Sequence, residues 1–396
     1  MGTEVVGFGK ETGVLLKKNV RDYGMFIALA IIVAIFSFAT DGGFVTARNM
    51  SNLINQMGYI GVLAVGMTLI LIIKYIDLSV GYVVGFSGAV AAILMKSYNM
   101  GSYTTILAVL AIGVFIGLVY GYLVSKVGVP AFVTTLAGML IFRGLLLLIT
   151  EKTGTIVIKD KAFNAIGQGY IPDITKVDGL HILTLIIGVV AIIGMIISSI
   201  IKRRNLKKYN FETISLPMFI LKCTFVSIAF GYIVWTLSKF NGLSWTVVIL
   251  AVVVLIYSFV MNNTTLGRHI YGVGGNAEAA ELSGVSVKKI TCIVYASMGL
   301  LSALAGILYA SRFGSATTTG GAGLELEAIA AAYVGGVSAN GGIGKVSGSI
   351  IGALVMASLS NGMNLIGTGA SLQYIIKGAI LVTAVIFDVM TRKKAH

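Results

Sequence analysis

Asp77, in the stretch KYIDLSVG, and Arg143, in LAGMLIFRGLLLLIT, are ionisable residues set against long apolar runs. A charge within a membrane span is costly, so each is by default a candidate for a substrate or ion pathway. The competing reading of Arg143 is a guanidinium that meets a carbonyl or an acid in helix packing, and the residue types alone leave the two readings level. Lys222 and Lys377 also fall within apolar runs. Their long stems can carry the ammonium towards the nearer interface, which predicts structural roles for both. The Lys-Tyr-Ile-Asp break before Leu-Ser-Val-Gly reads as a tight turn in which Asp77 or Ser79 caps the following helix. The same break could line a pathway, as discontinuous helices do in transporters.

Catalytic constellations are thin. The three histidines, His181, His269 and His396, have no metal-ligand partner at helical spacing. No GxSxG elbow occurs. GGIGKVSG fails as a phosphate-binding loop, because Val346 follows Lys345 and position 339 is Ala339. GVGGN at 272–276 has no strand-turn-helix setting for a dinucleotide. Cys223 and Cys292 sit in apolar runs and read as small core residues, not as a disulfide or metal pair. No cofactor and no enzymatic activity are expected of this chain.

The elements that must position these residues follow from composition. Of 396 residues, 57% are hydrophobic and 11% charged, with a mean hydropathy of +0.95. A soluble domain carries roughly 25% charged residues, so the solvent here is a bilayer. Fifty glycines and three prolines suit closely packed membrane helices. Apolar runs fall at 24–39, 57–73, 78–95, 103–125, 127–149, 180–201, 214–238, 243–261, 290–310, 343–366 and 371–390, with a shorter Gly-flanked stretch at 324–337. About 20 residues cross the hydrocarbon, which predicts an all-α integral membrane protein of about 10–12 transmembrane helices. Counting 324–337 as a crossing puts both termini on one side.

The positive charges test that arrangement. With the N-terminus inside, the inner segments collect eighteen of the 29 Lys and Arg, the outer segments eight and the spans three. The net charge of +14 is therefore mainly a topology signal, and nucleic acid is not an expected partner. Residues 1–22 are polar and basic, with no cleavage site after 24–39. They are expected to be a cytoplasmic segment, followed by a single transmembrane domain over 23–391 and a cytoplasmic tail at 392–396. A Gly-rich break, GGVSANGGIGKVSG at 335–348, answers the break near Asp77, and Gly-Ala-Val at 88–90 and Gly-Ala-Leu at 352–354 follow the two at similar distances. This pattern hints at an internal repeat.

The longest inner loop, 262–289, reads NNTTLGRHIYGVGGNAEAAELSGVSVKK. Asn276 can cap a short helix that begins at Ala277, and Gly284 suits its C-terminal left-handed position. Two acids and no Lys or Arg in 276–284 argue against attachment to anionic lipid. A helix of this kind can dock into a groove on a soluble partner.

At this point the sequence resembles a known family. GGNAEAAELSG resembles the cytoplasmic coupling-loop motif of the ribose, galactose and xylose branch of bacterial ABC sugar-importer permeases. AVGMTLILIIKYIDLSVG at 64–81, VPAFVTTLAGMLIFRGL at 129–145, LEAIAAAYVGGVSANGG at 326–342, GALVMASLSNGMNLIG at 352–367 and QYIIKGAILVTAVIFD at 373–388 are similar as well. The likeness covers roughly residues 20–394. TDGGFVTARNMSNLINQ, GQGYIP and the added span near 214–238 look closest to the xylose-type permeases. Lys74-Tyr75 and Ala-Tyr-Val at 332–334 depart from the usual pattern.

The resemblance implies the type II ABC importer permease fold in a bacterial inner membrane, with both termini cytoplasmic. It implies a homodimer, a cytoplasmic ATPase whose two nucleotide domains are often fused, and an extracytoplasmic sugar-binding protein. Gly275, Asn276, Glu278, Ala279, Ala280, Leu282, Ser283 and Gly284 would then engage the ATPase and drive alternating access. A sugar pathway needs hydroxyls, amides and aromatic faces. Asn55, Gln56, Ser79, Phe132, Thr134, Thr135 and Asn361 are its candidates, beside Asp77 and Arg143. For each of them interhelical hydrogen bonding is the plainer role. An ion-coupled secondary sugar transporter is the alternative function, disfavoured because the few acids in the apolar runs lie near span ends.

Overall fold

The computed structural model describes residues 20–173, 176–177, 179–211, 213 and 215–393. The expected N-terminal segment 1–22 lies almost wholly outside the described residues, as does the end of the tail. Helices dominate. In chain order they are α1 (Val20–Ala39), α2 (Ala47–Ile72), α3 (Val80–Ser97), α4 (Ser102–Tyr122), α5 (Ala131–Thr150), α6 (Lys161–Gln168), α7 (Ile182–Lys208) and α8 (Leu216–Ser238). The rest are α9 (Trp245–Asn263), α10 (Thr265–Gly275), α11 (Ala277–Leu282), α12 (Val287–Phe313), α13 (Leu324–Val334), α14 (Val346–Leu365) and α15 (Ala370–Lys393). Among the described residues nine helices are long and apolar enough to cross a membrane, and α1 and α15 carry shorter apolar stretches.

The centre of the bundle is built from α2 and α12. From Met57 to Ile73 almost every α2 side chain is buried, which fits an apolar run with no polar face to turn outward. Against α12, α4 sets Gly113, Gly117 and Gly121, four residues apart and therefore on one helix face. A Cβ on Gly117 would strike the carbonyl of Tyr295, and one on Gly121 would fall 2.7 Å from Cys292 Cα. These glycines let two backbones approach, which is the association mode that membrane helices favour. On α3, Gly88 packs on Gly306 and Ala310 of α12, while Gly352 of α14 packs on the Ala331 carbonyl of α13. Both Gly-Ala pairs thus do the same job in their own helix pair.

Peripheral helices differ in character. α7 and α8 pair with each other and expose most of their apolar side chains. At one end of the bundle, β1 (Thr155–Val157) and β4 (Ser315–Thr317) form an antiparallel ribbon, and α6 lies beside it. A second small ribbon joins β2 (Lys176–Val177) and β3 (Leu180–His181). The opposite end carries α10 and α11.

The two breaks are structural. α13 has only eleven residues and continues as irregular chain through 335–345 to the end of α2, where Gly342 N–H donates to the Ile72 carbonyl at 2.8 Å. The stretch at 324–337 is therefore a short helix over 324–334 that runs into irregular backbone, tolerated because it is buried in protein. The break at 73–79 is a turn, buried where it meets α3. Asp77 and Ser79 are 2% and 1% exposed, and the first turn of α3 already lies against Gly321 and Glu325 at the head of α13. Turn-forming residues signal a break, but packing from α4, α5 and α12 decides that this one is covered.

Candidate functional site

α11 is the best-defined exposed feature. Asn276 Oδ1 accepts from Ala279 N–H at 3.0 Å, as a capping residue should, and Ser283 Oγ donates to the Ala279 carbonyl at 2.8 Å. Gly284 ends the helix at φ +83°, in the left-handed region. Ala280 packs inward while Leu282 is 91% exposed, with Glu278 and Glu281 on the surface beside it. An almost fully exposed leucine beside two acids leaves an apolar side chain on the surface of a short polar helix.

The helix is tied to the bundle from behind. Gly274 lies against the Ile72 carbonyl and Gly342 N, with no room for a Cβ. Lys74 donates from Nζ to the Gly275 carbonyl at 3.1 Å. A cation at the C-terminal end of α10 also complements the helix dipole. Tyr271 Oη donates to the Gly344 carbonyl at 2.7 Å. Three separate segments, the end of α2, the α10–α11 turn and 341–344, are thereby locked together.

The pathway candidates do not form one constellation. Asn55 accepts a hydrogen bond from Ser244 Oγ at the head of α9. Asn361 Oδ1 accepts from Asn49 Nδ2 at 2.8 Å. Thr134 and Thr135 donate to the carbonyls of Pro130 and Ile76, both at 3.3 Å. Asp77 Oδ1 accepts from Ser79 N–H at 2.9 Å and from Ser79 Oγ at 2.6 Å, closing a turn just before α3; Ser79, the N-cap residue, makes no side-chain capping bond, so the expected cap does not form. Gln56 is half-buried, and Phe132 is 56% exposed on the outer surface of α5. Arg143 is exposed on the single chain, its guanidinium 5.9 Å from the Tyr82 ring centroid.

Asp77, Ser79 and Thr135 do come together, beneath Tyr120 and Tyr295, whose rings meet edge to face. Both tyrosine hydroxyls are buried without a hydrogen-bond partner.

Sequence reasoning missed a second polar group. Lys377 does not reach for the interface; its ammonium pairs with Glu327 on α13. Ser360 Oγ of α14 lies 3.4 Å from the same carboxylate. The partners are 50 residues apart in sequence, and each looked like an ordinary span-end charge. A charge inside a span whose opposite number sits in a neighbouring span is the signal that could have linked them.

Residues 49–385 match the family described as the branched-chain amino acid transport system permease component. The chain belongs to that family of multi-pass membrane permeases. It is 39% identical to a xylose transport system permease protein of Haemophilus influenzae over 95% of this chain and 98% of the relative. The Escherichia coli K12 xylose transport system permease protein is 38% identical over 95% and 94%, and the ribose import permease protein of the same strain 33% over 91% and 92%. No solved structure matches the chain.

Proposed function

We propose that this chain is the permease subunit of a binding-protein-dependent ABC importer for a monosaccharide, with xylose the first candidate. The observation that carries the reading is the 38–39% identity to xylose permeases over 95% of the chain. The chain is non-catalytic; ATP hydrolysis belongs to a cytoplasmic ATPase, probed here through α11. An extracytoplasmic binding protein delivers sugar to the end that carries the β1–β4 ribbon. The α11 end and both termini face the cytoplasm, across the inner membrane. Supporting this orientation, the basic residues gather on the α11 side.

The working unit is a homodimer. Arg143 supports it: on one chain it lies exposed midway along α5, between Ile141 and Leu147, which are also exposed. Lipid at that depth is a poor solvent for a guanidinium, and an aqueous seam against a second copy is a good one. ATP binding in the partner moves α11, and the tie through Lys74, Gly274 and Tyr271 carries the movement to α2 and to the segment below α13. Such a device works only if the partner contacts the inward and outward states differently.

The test is uptake of labelled xylose into proteoliposomes holding the permease, its ATPase and the binding protein, comparing Glu278→Arg with wild type. ATP-dependent uptake, lost in the variant together with ATPase association, supports the reading. Uptake by the permease alone, without ATP and indifferent to the substitution, overturns it in favour of an ion-coupled carrier.

A further inference from the structure

A cleft of about 170 Å³ opens between α13 and the first half of α15, with Met356 of α14 at its side, and none of the pathway candidates lines it. Its polar wall is the Glu327–Lys377 pair, with Gln373 and Tyr374 one turn nearer the ribbon end. Lys377 lies seven residues into α15, about 10 Å from the start of that helix. The pair is not sealed, since its side chains remain 20% and 11% exposed. Gln373 is oriented by Asn364 Oδ1 and by the Thr368 carbonyl, at 2.8 and 2.9 Å.

We infer that this cleft is a binding station for a neutral monosaccharide in the half of the translocation path nearest the binding protein. The inference rests on the importer reading above and adds a place and a chemistry to it. At about 170 Å³ the void is smaller than the roughly 300–1,000 Å³ of drug-sized sites, which restricts it to a small ligand. Glu327 and the Gln373 Oε1 supply acceptors and Lys377 donors, which is what vicinal hydroxyls require because each hydroxyl both donates and accepts. The Tyr374 ring, 58% exposed at the mouth, offers an apolar face to sugar C–H groups. The charges of Glu327 and Lys377 cancel, so an anion or a cation gains little there, whereas a neutral polyol can bridge both groups.

A purely structural ion pair explains less. Removing two charges from water costs about what their attraction returns, and α13 and α15 could have been joined more simply by apolar side chains. Gly378 lines the cleft on an exposed stretch of α15, and a Cβ there would meet nothing within 4 Å. Since α13 leads directly into 335–345 and so to the α11 tie, movement of α11 shifts one wall of the cleft.

The test uses the assembled complex in proteoliposomes, with Cys223→Ser and Cys292→Ser in the permease and Ala370→Cys as a reporter at the cleft lining. The rate at which a membrane-impermeant methanethiolsulfonate labels that cysteine is read with and without D-xylose, D-ribose or D-galactose. We expect one of these sugars to slow labelling several-fold. Protection should vanish with Glu327→Gln and with Gly378→Leu, which puts a bulky side chain on the cleft lining where a Cβ meets no other atom. Gly378→Leu also guards against misfolding, because leucine is a better helix former than glycine. Labelling indifferent to all three sugars, in complexes that still take up xylose, overturns the station while leaving the importer reading standing. Protection that survives both substitutions overturns it equally. Complexes that transport none of the sugars, yet show protection that both substitutions abolish, uphold the station and count against the importer reading.

Discussion

The Lys74 ammonium lies 3.1 Å from the carbonyl oxygen of Gly275 and donates to it across 201 residues of sequence. Lys74 sits at φ +66° just past the end of α2, a left-handed conformation rare outside glycine. That geometry turns the chain out of α2 and aims the side chain at the last turn of α10. The contact lies immediately behind α11, so Lys74 fastens the exposed helix to the most buried one.

Lys74→Met should loosen that fastening while preserving the stem. A hydrogen bond of this kind contributes about 1 kcal/mol, or roughly a fivefold change in an equilibrium. ATP-driven uptake should fall by about that factor, with ATPase activity of the complex largely retained. The two are measured side by side in proteoliposomes. A parallel fall in both would mean lost assembly and not lost coupling.

Asn55 and Ser244 should behave as packing residues. Their hydrogen bond joins α2 to the head of α9, and both side chains are buried. Membrane double-mutant cycles put such a bond at about 0.6 kcal/mol, rising to about 1.7. Asn55→Ala should therefore lower thermal stability in detergent slightly, leaving the apparent KM for sugar unchanged. A rise in KM without a change in stability would return Asn55 to the pathway.

Much of this fold can be read from the sequence, because in a bilayer each span must announce itself as about 20 apolar residues. The α11 cap at Asn276 and stop at Gly284 are equally local and equally legible. What cannot be read is which face a span presents when its composition is apolar all round. Arg143 could not be assigned to surface or interior for that reason. Nor do partners such as Asn49 and Asn361, 312 residues apart, leave any local trace. Glu327 and Lys377 were hidden in the same way. The ribbon β1–β4 and helix α6 were missed because the loop at 150–179 is polar and has no sustained period.

Asp160 provides a pH test at the ribbon end. It caps α6, accepting from Phe163 N–H at 2.8 Å and from Ser102 Oγ at 2.7 Å. These bonds, the Phe163 amide first, hold its carboxyl below the ordinary value of 3.8. A depressed folded-state pKa contributes stability above the unfolded value, and that contribution is lost as pH falls through the folded one. Asp160→Ala should melt earlier than wild type at pH 7. The gap should close in acid below the ordinary carboxylate range, when melting is followed by tryptophan fluorescence. A gap that persists in acid would mean that the side chain acts by packing alone.

The α4–α12 seam gives the sharpest test of the fold. Gly117 sits where a Cβ would run into the Tyr295 carbonyl and the Ala296 Cα. Backbone cannot swing aside as a flexible side chain does, so Gly117→Leu must separate two helices at the centre of the bundle. Overpacking of this sort costs about 1–3 kcal/mol, occasionally more. Gly194 on α7 is the matched control, because a Cβ there meets nothing within 4 Å. Gly194→Leu should express and melt like wild type, or slightly better, since leucine improves on glycine in a helix by somewhat less than about 1 kcal/mol. Equal tolerance of both substitutions, judged by yield and melting temperature in detergent, would show that α4 and α12 do not approach through their glycines.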